Sequence, residues 1–192
     1  MNDEIILVGN GPSALDHKFG KIIDSYETVV RFSWFHLKGY EEYIGTKTDI
    51  WFTTVADPAR IKSGGYGVGY REVYEHSWEW DARKDKNYKN LKKHFPDLKK
   101  TKRETIVEMQ KLVGDDKYFC YSTGAIAAYL FSKERGRVTL YGFDWWEKRG
   151  KHHYGDGQSI GRIHKPNQEL KLFSKLAEQY KIKDLNPKSK IK

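Results

Sequence analysis

A short apolar run that ends on a glycine turn limits this chain's fold more than any other feature. Glu4-Ile-Ile-Leu-Val8 has four consecutive apolar residues and stops at Gly9-Asn10-Gly11-Pro12-Ser13. Buried strands of parallel sheets read this way, because both of their faces are covered. A strand that runs into a glycine turn opens an α/β unit, and the rest of the chain repeats the alternation. Thr28–Phe32 and Asp49–Thr54 predict the next two strands, and Glu72–Tyr74 begins another. Residues 57–71, with four glycines and a proline, predict an irregular loop. Arg103–Val113 has Ile106, Met109 and Val113 at helical spacing and stops at Gly114. Lys117–Cys120 predicts a short strand. Tyr121-Ser122-Thr123-Gly124 opens a helix over Ala125–Lys133, with Ile126, Ala127, Leu130 and Phe131 on one face and Gly136 as its stop. Val138–Asp144 is the last clear strand. A final helix from about Pro166 to Tyr180 is expected to bury Leu170, Phe173, Ala177 and Tyr180, with Ile182–Leu185 as an edge strand. The predicted fold is α/β: one Rossmann-like domain over residues 1–192, with a mostly parallel sheet flanked by helices.

Charge enters the argument at one place. The net charge of +9 is concentrated between Arg83 and Arg103, where ten Lys or Arg face only Asp85 and Asp97. Residues 81–104 therefore stand out as a basic insert or flap, either a solvated lysine-rich helix or flap or a surface for polyanions such as nucleic acid. Residues 186–192 read as a flexible basic tail. The single cysteine, Cys120, cannot form an internal disulfide, and no apolar run approaches a membrane span or a signal-peptide core. A cytoplasmic location is expected.

Ligands of parallel sheets bind at the carboxyl ends of strands, and three loops fall there. Gly9-Asn10-Gly11 lets a ligand approach the backbone, and Asn10 offers both a donor and an acceptor; alternatively the stretch is a structural turn. It is not a dinucleotide fingerprint, since Pro12 interrupts the turn, and Arg31 and Ser33 stand where an acidic residue would close the second strand. Ser122-Thr123-Gly124 precedes a helix whose first amides attract phosphate, unless Ser122 or Thr123 serves only as its cap. The third loop, HHYGDGQSIGRIHKPNQEL over residues 152–170, carries His152, His153 and His164. The positive end of the last helix disfavours a charged His164, and a neutral imidazole can accept a hydroxyl proton. Their spacing matches no common zinc pattern, and ordinary packing or surface histidines are the other reading.

Taken together these stretches resemble the sialyltransferases of glycosyltransferase family 29, with a secondary likeness to the bacterial sialyltransferases of family 42. Val8-Gly-Asn-Gly11, Ile23-Asp-Ser25, Val30-Arg31 and Ile44-Gly-Thr-Lys-Thr48 follow the order of the family's long motif. Ser122-Thr-Gly124 through Leu140-Tyr-Gly-Phe143 is similar to its short motif, His152-His-Tyr154 to the triplet, and His164 with Glu169 to its H-x-x-x-x-E motif. GNGPS itself and Tyr180-Lys-Ile-Lys183 are closer to the bacterial group.

The resemblance implies a GT-A-like variant and an inverting, metal-independent glycosyltransferase that uses a CMP-sugar, most simply CMP-sialic acid, as donor substrate. No metal or separate cofactor is expected, and the acceptor would be a hydroxyl of a glycan, glycolipid or similar partner. By the same resemblance His164 is the general base and His153 neutralises the leaving phosphate. Donor contacts are expected from Gly9, Asn10, Gly11, Ser33, Ser122, Thr123, Gly124, Gly142, Asp144 and Trp146, with Glu169 orienting the loop. Ser33 departs from the family's usual Asn. The cysteine pair of the animal enzymes is absent, which fits a bacterial or viral protein. Residues 55–116, where acceptor specificity is expected, match no motif.

Overall fold

The computed structural model describes residues 4–53, 70–76, 82–117, 120–144, 165–187, 189 and 191, with backbone alone for 82–87. Seven strands, β1 (Ile5–Val8), β2 (Thr28–Phe32), β3 (Ile50–Thr53), β4 (Glu72–Glu75), β5 (Lys99–Lys100), β6 (Arg137–Tyr141) and β7 (Lys181–Asp184), form one sheet in the order β5-β4-β3-β2-β1-β6-β7. Every pairing is parallel. The helices are α1 (Gly20–Asp24), α2 (Glu41–Ile44), α3 (Ala82–His94), α4 (Arg103–Val113), α5 (Thr123–Arg135) and α6 (Pro166–Gln179).

The alternation along β1 shows why the run must be wholly apolar. Ile5 and Leu7 pack with residues of α4, α5 and α6, while Ile6 and Val8 pack on the other face with Ile23 and Ile44 of α1 and α2. All four are at most 2% exposed, so a polar residue at any of them would be buried without a partner.

Much of the long-motif sequence serves this architecture. Arg31, 1% exposed in β2, donates from Nε to the Lys47 carbonyl and the Thr48 hydroxyl, both at 3.0 Å, and from a terminal nitrogen to the Ile44 carbonyl at 2.7 Å. Asp24 accepts from the backbone amides of Thr46 and Lys47. Gly45 has φ +71°, and a Cβ there would lie 2.2 Å from the Asp24 carboxylate. Asp49 accepts from Val29 N at 2.8 Å and tethers the base of β2. The loop between α2 and β3 is thus moulded around one buried cation and two carboxylates.

Several elements depart from the sequence expectations. The basic segment carries a lysine-rich helix, α3, as one of its two expected forms, but adds the edge strand β5 and is anchored by Leu91 and Leu98 in a core with Trp51, Val73 and Phe35. The final helix buries Leu172, Phe173 and Leu176, with Leu170 only half-buried, so its apolar stripe is rotated from the expected one. The expected tail is tied down: Ser189 N donates to Asn186 O, and Ile191 packs into the larger core. No strand forms among the described residues of 117–120. Among the described residues no helix is long and apolar enough to cross a membrane.

Candidate active site

Strand order reverses between β1 and β6, and the carboxyl ends of these neighbours frame the crevice where such sheets bind ligands. The two loops that leave them are locked together. Gly9 N donates to Tyr141 O at 2.7 Å and Gly11 N to Gly142 O at 3.0 Å. Gly142 has φ +75°, and a Cβ on Gly9 would sit 2.4 Å from the Gly142 carbonyl, so neither position accommodates a side chain. Asp144 accepts from Ser13 N at 3.0 and 3.3 Å and thereby caps the 3-10 turn Pro12–Leu15. In this arrangement Asp144 shapes the first loop.

Asn10 directs its amide nitrogen at Phe32 O (3.0 Å) and Trp34 O (3.4 Å), which leaves its side-chain oxygen as an acceptor with no partner among the described residues. Ser33 follows β2 with φ +45°. Its amide donates to Phe52 O, its carbonyl accepts from Trp51 Nε1, and its hydroxyl lies 3.4 Å from that of Thr123. Asn10, Ser33 and Thr123, all half-buried, therefore meet at one corner although they come from three separate loops.

The Ser122-Thr123-Gly124 loop meets those of Asn10 and Ser33 at the start of α5. Ser122 is the N-cap and accepts from Ala125 N at 3.2 Å. Its own amide and hydroxyl both donate to Glu169, at 2.6 and 2.7 Å. Glu169, 4% exposed in the first turn of α6, thereby joins the amino ends of two helices. With Ser122 committed to Glu169, the donors left at this end are the Thr123 hydroxyl and the first-turn amides of Thr123 and Gly124. Those amides have no partner among the described residues. Gly124 sits against the Phe143 ring, which links this end to the β6 loop.

The local electrostatics point an anion to the same corner. On the far side, burial raises the Asp184 carboxyl above its usual range, and the nearby Asp144 charge adds to the effect. An incoming phosphate is attracted by the unpaired first-turn amides of α5. His152, His153, His164 and Trp146 lie outside the described residues. Among the described residues no cluster of three or more His, Cys, Asp or Glu could hold a metal ion.

Residues 4–77, which include β1 to β4 with Asn10, Arg31 and Ser33, match the family model of glycosyltransferase family 29 (sialyltransferase). Two crystal structures of a mammalian sialyltransferase, one in complex with Gal-beta-1-3GalNAc-ortho-nitrophenol, share 20% identity with this chain at a TM-score of 0.66. Each match covers 95% of this chain and 68% of the other, and it establishes the shared fold. No curated protein sequence matches the chain.

Ser33 stands where the family usually has Asn, and its backbone gives the substitution a direction. Left-handed φ costs a β-branched residue most, whereas Asn adopts it readily. Ser33→Val is expected to lose about 1–2 kcal/mol of stability, while Ser33→Asn loses nothing. Urea denaturation of the two variants checks this, and equal midpoints would show that the backbone there is unstrained. The sequence reading missed three buried polar residues at this sheet edge: Thr53, which ends β3, Glu75, which ends β4, and the adjacent His76. The signal was an acidic and a basic residue directly after Tyr74, where an apolar strand should have stopped.

Proposed function

We propose that the protein transfers a sugar, most simply sialic acid, from a CMP-sugar to an acceptor hydroxyl, with inversion and without a metal ion. The observation that carries this reading is the convergence of Asn10, Ser33 and Thr123 beside the unpaired α5 amides, at the switch point of a family 29 sheet. In this reading the side-chain oxygen of Asn10 and the hydroxyls of Ser33 and Thr123 hold the nucleoside. The amides of Thr123 and Gly124 take the phosphate. Gly9, Gly11 and Gly142 let the loops approach closely, Asp144 and Ser122 hold their shape, and Trp146 covers the donor.

The chemistry requires little more than charge and proton management. The acceptor oxygen bonds to the anomeric carbon as the bond from that carbon to the CMP phosphate oxygen breaks. CMP leaves with the electron pair, and the hydroxyl proton passes to His164. The charge that grows on the phosphate is stabilised by the α5 amides, already placed before reaction, and in this reading by His153. In the sequence His164 lies two residues before Pro166, which opens α6.

Incubation with CMP-sialic acid and a galactose-terminated acceptor in EDTA is expected to release CMP, and a lack of turnover across such acceptors would remove the proposal. His164→Ala is expected to lower kcat by a factor on the order of 100 to 10,000 while CMP affinity changes little. An unchanged kcat would reassign the base.

A further inference from the structure

Resting on that reading, we infer that the acceptor is an anionic oligosaccharide, held through its phosphate or carboxylate groups by Lys100, Lys102 and Arg103. Because β5 runs parallel to its neighbours, Lys100 ends it at the same sheet edge as Asn10 and Ser33, and Lys102 and Arg103 follow directly. Three strand spacings separate β5 from β2, roughly 14 Å. A single sugar does not cross that distance, but a short oligosaccharide does.

All three cations are exposed, and none forms an ion pair with a described residue. Lys99, one residue before Lys100, behaves otherwise: it pairs with Glu72 at 2.7 Å. Lys102 and Arg103 also stand at the amino end of α4, where the helix dipole disfavours cations. Helix stability therefore does not account for them. Between Lys100 and Lys102, Thr101 is 9% exposed and its hydroxyl has no hydrogen-bond partner.

A glycan fits this surface better than a single-stranded nucleic acid, which needs exposed rings to stack on. The described rings beside it are engaged: Tyr88 lies under Lys100, Tyr74 stacks on Phe52, and Phe95 packs on Trp51. A membrane surface is less suited too, since among the described residues Ile22 and Val107 are the exposed large apolar ones, and Val107, one turn from Arg103, is a single side chain and not an apolar surface.

The test titrates the full chain with a phosphorylated, galactose-terminated oligosaccharide and with its dephosphorylated counterpart. A single-stranded oligonucleotide of equal charge and vesicles containing phosphatidylserine serve as competing anions. Salt is set at about 25 mM and about 250 mM, on either side of the range where screening reaches contact distances. The phosphorylated sugar is expected to bind at least about tenfold tighter than the neutral one at low salt, with the gap closing at high salt. The gap should also close in Lys100→Glu/Lys102→Glu/Arg103→Glu and shrink in the milder Lys100→Gln/Lys102→Gln. Equal binding of the two sugars, a gap that survives both variants, or tighter binding of the oligonucleotide or the vesicles overturns the inference. CMP titration of the same samples separates the two ideas. Loss of CMP binding in the unaltered chain removes the enzymatic reading, while the comparison of sugars still decides the cation cluster.

Discussion

Replacing Arg31 with methionine is expected to destabilise the protein by about 3 kcal/mol or more, which in a chain of this size lowers the melting temperature by roughly 10 °C. The guanidinium is buried and donates to two carbonyls and a hydroxyl in the segment 44–48. Methionine fills similar volume but leaves those acceptors without donors, and burial prevents water from replacing them. The loop that Gly45, Thr46 and Asp24 shape around it loses its centre. Thermal unfolding followed by circular dichroism measures the effect. A loss below about 2 °C would mean that the loop holds itself, through bonds such as those from Thr46 to Asp24.

Glu169→Ala carries the second large effect, and it divides between stability and turnover. The substitution leaves the Ser122 amide and hydroxyl unpaired at a half-buried helix end, a cost of about 2–4 kcal/mol. It also frees the start of α5 from the start of α6. Because the proposed phosphate site consists of the α5 amides, a displacement on the order of 1 Å there is expected to lower kcat/KM about 100-fold. Glu169→Gln keeps one acceptor oxygen and should recover part of both losses. If the alanine variant melts early yet turns over at the normal rate, the contact holds the fold together and does not position the donor.

The legible parts of the molecule were those written in short-range pattern. The apolar run of β1, the i, i+3, i+7 spacing of Ile106, Met109 and Val113, and the glycine after each of α4 and α5 read directly as strand, helix and stop. The loops after β1 and before α5 were legible for the same reason, since one follows a strand and the other opens a helix, while the loop that carries His152, His153 and His164 lies outside the described residues. What could not be read depends on contacts between distant residues. Nothing local tells that Asp144 caps the turn at Ser13, 131 residues away, or that Glu169 takes both donors of Ser122, 47 residues away. The anchoring of the basic segment was hard to read for a related reason: Leu91 and Leu98, with Tyr88 and Phe95 beside them, hold it to the core, and these scattered apolar residues are faint against ten cations. In the last helix, Leu170 and Leu172 offered two competing apolar stripes, and packing chose the second.

The account depends on a nucleotide resting where β1, β2 and α5 meet. Titrating CMP into isotope-labelled protein while following backbone amide resonances tests that claim most directly. The account predicts saturable shifts at Asn10, Ser33, Thr123 and Gly124, with Lys92 and Lys93 at the opposite sheet edge unmoved. An absence of shifts at those four amides, or shifts confined to another part of the molecule, would contradict it.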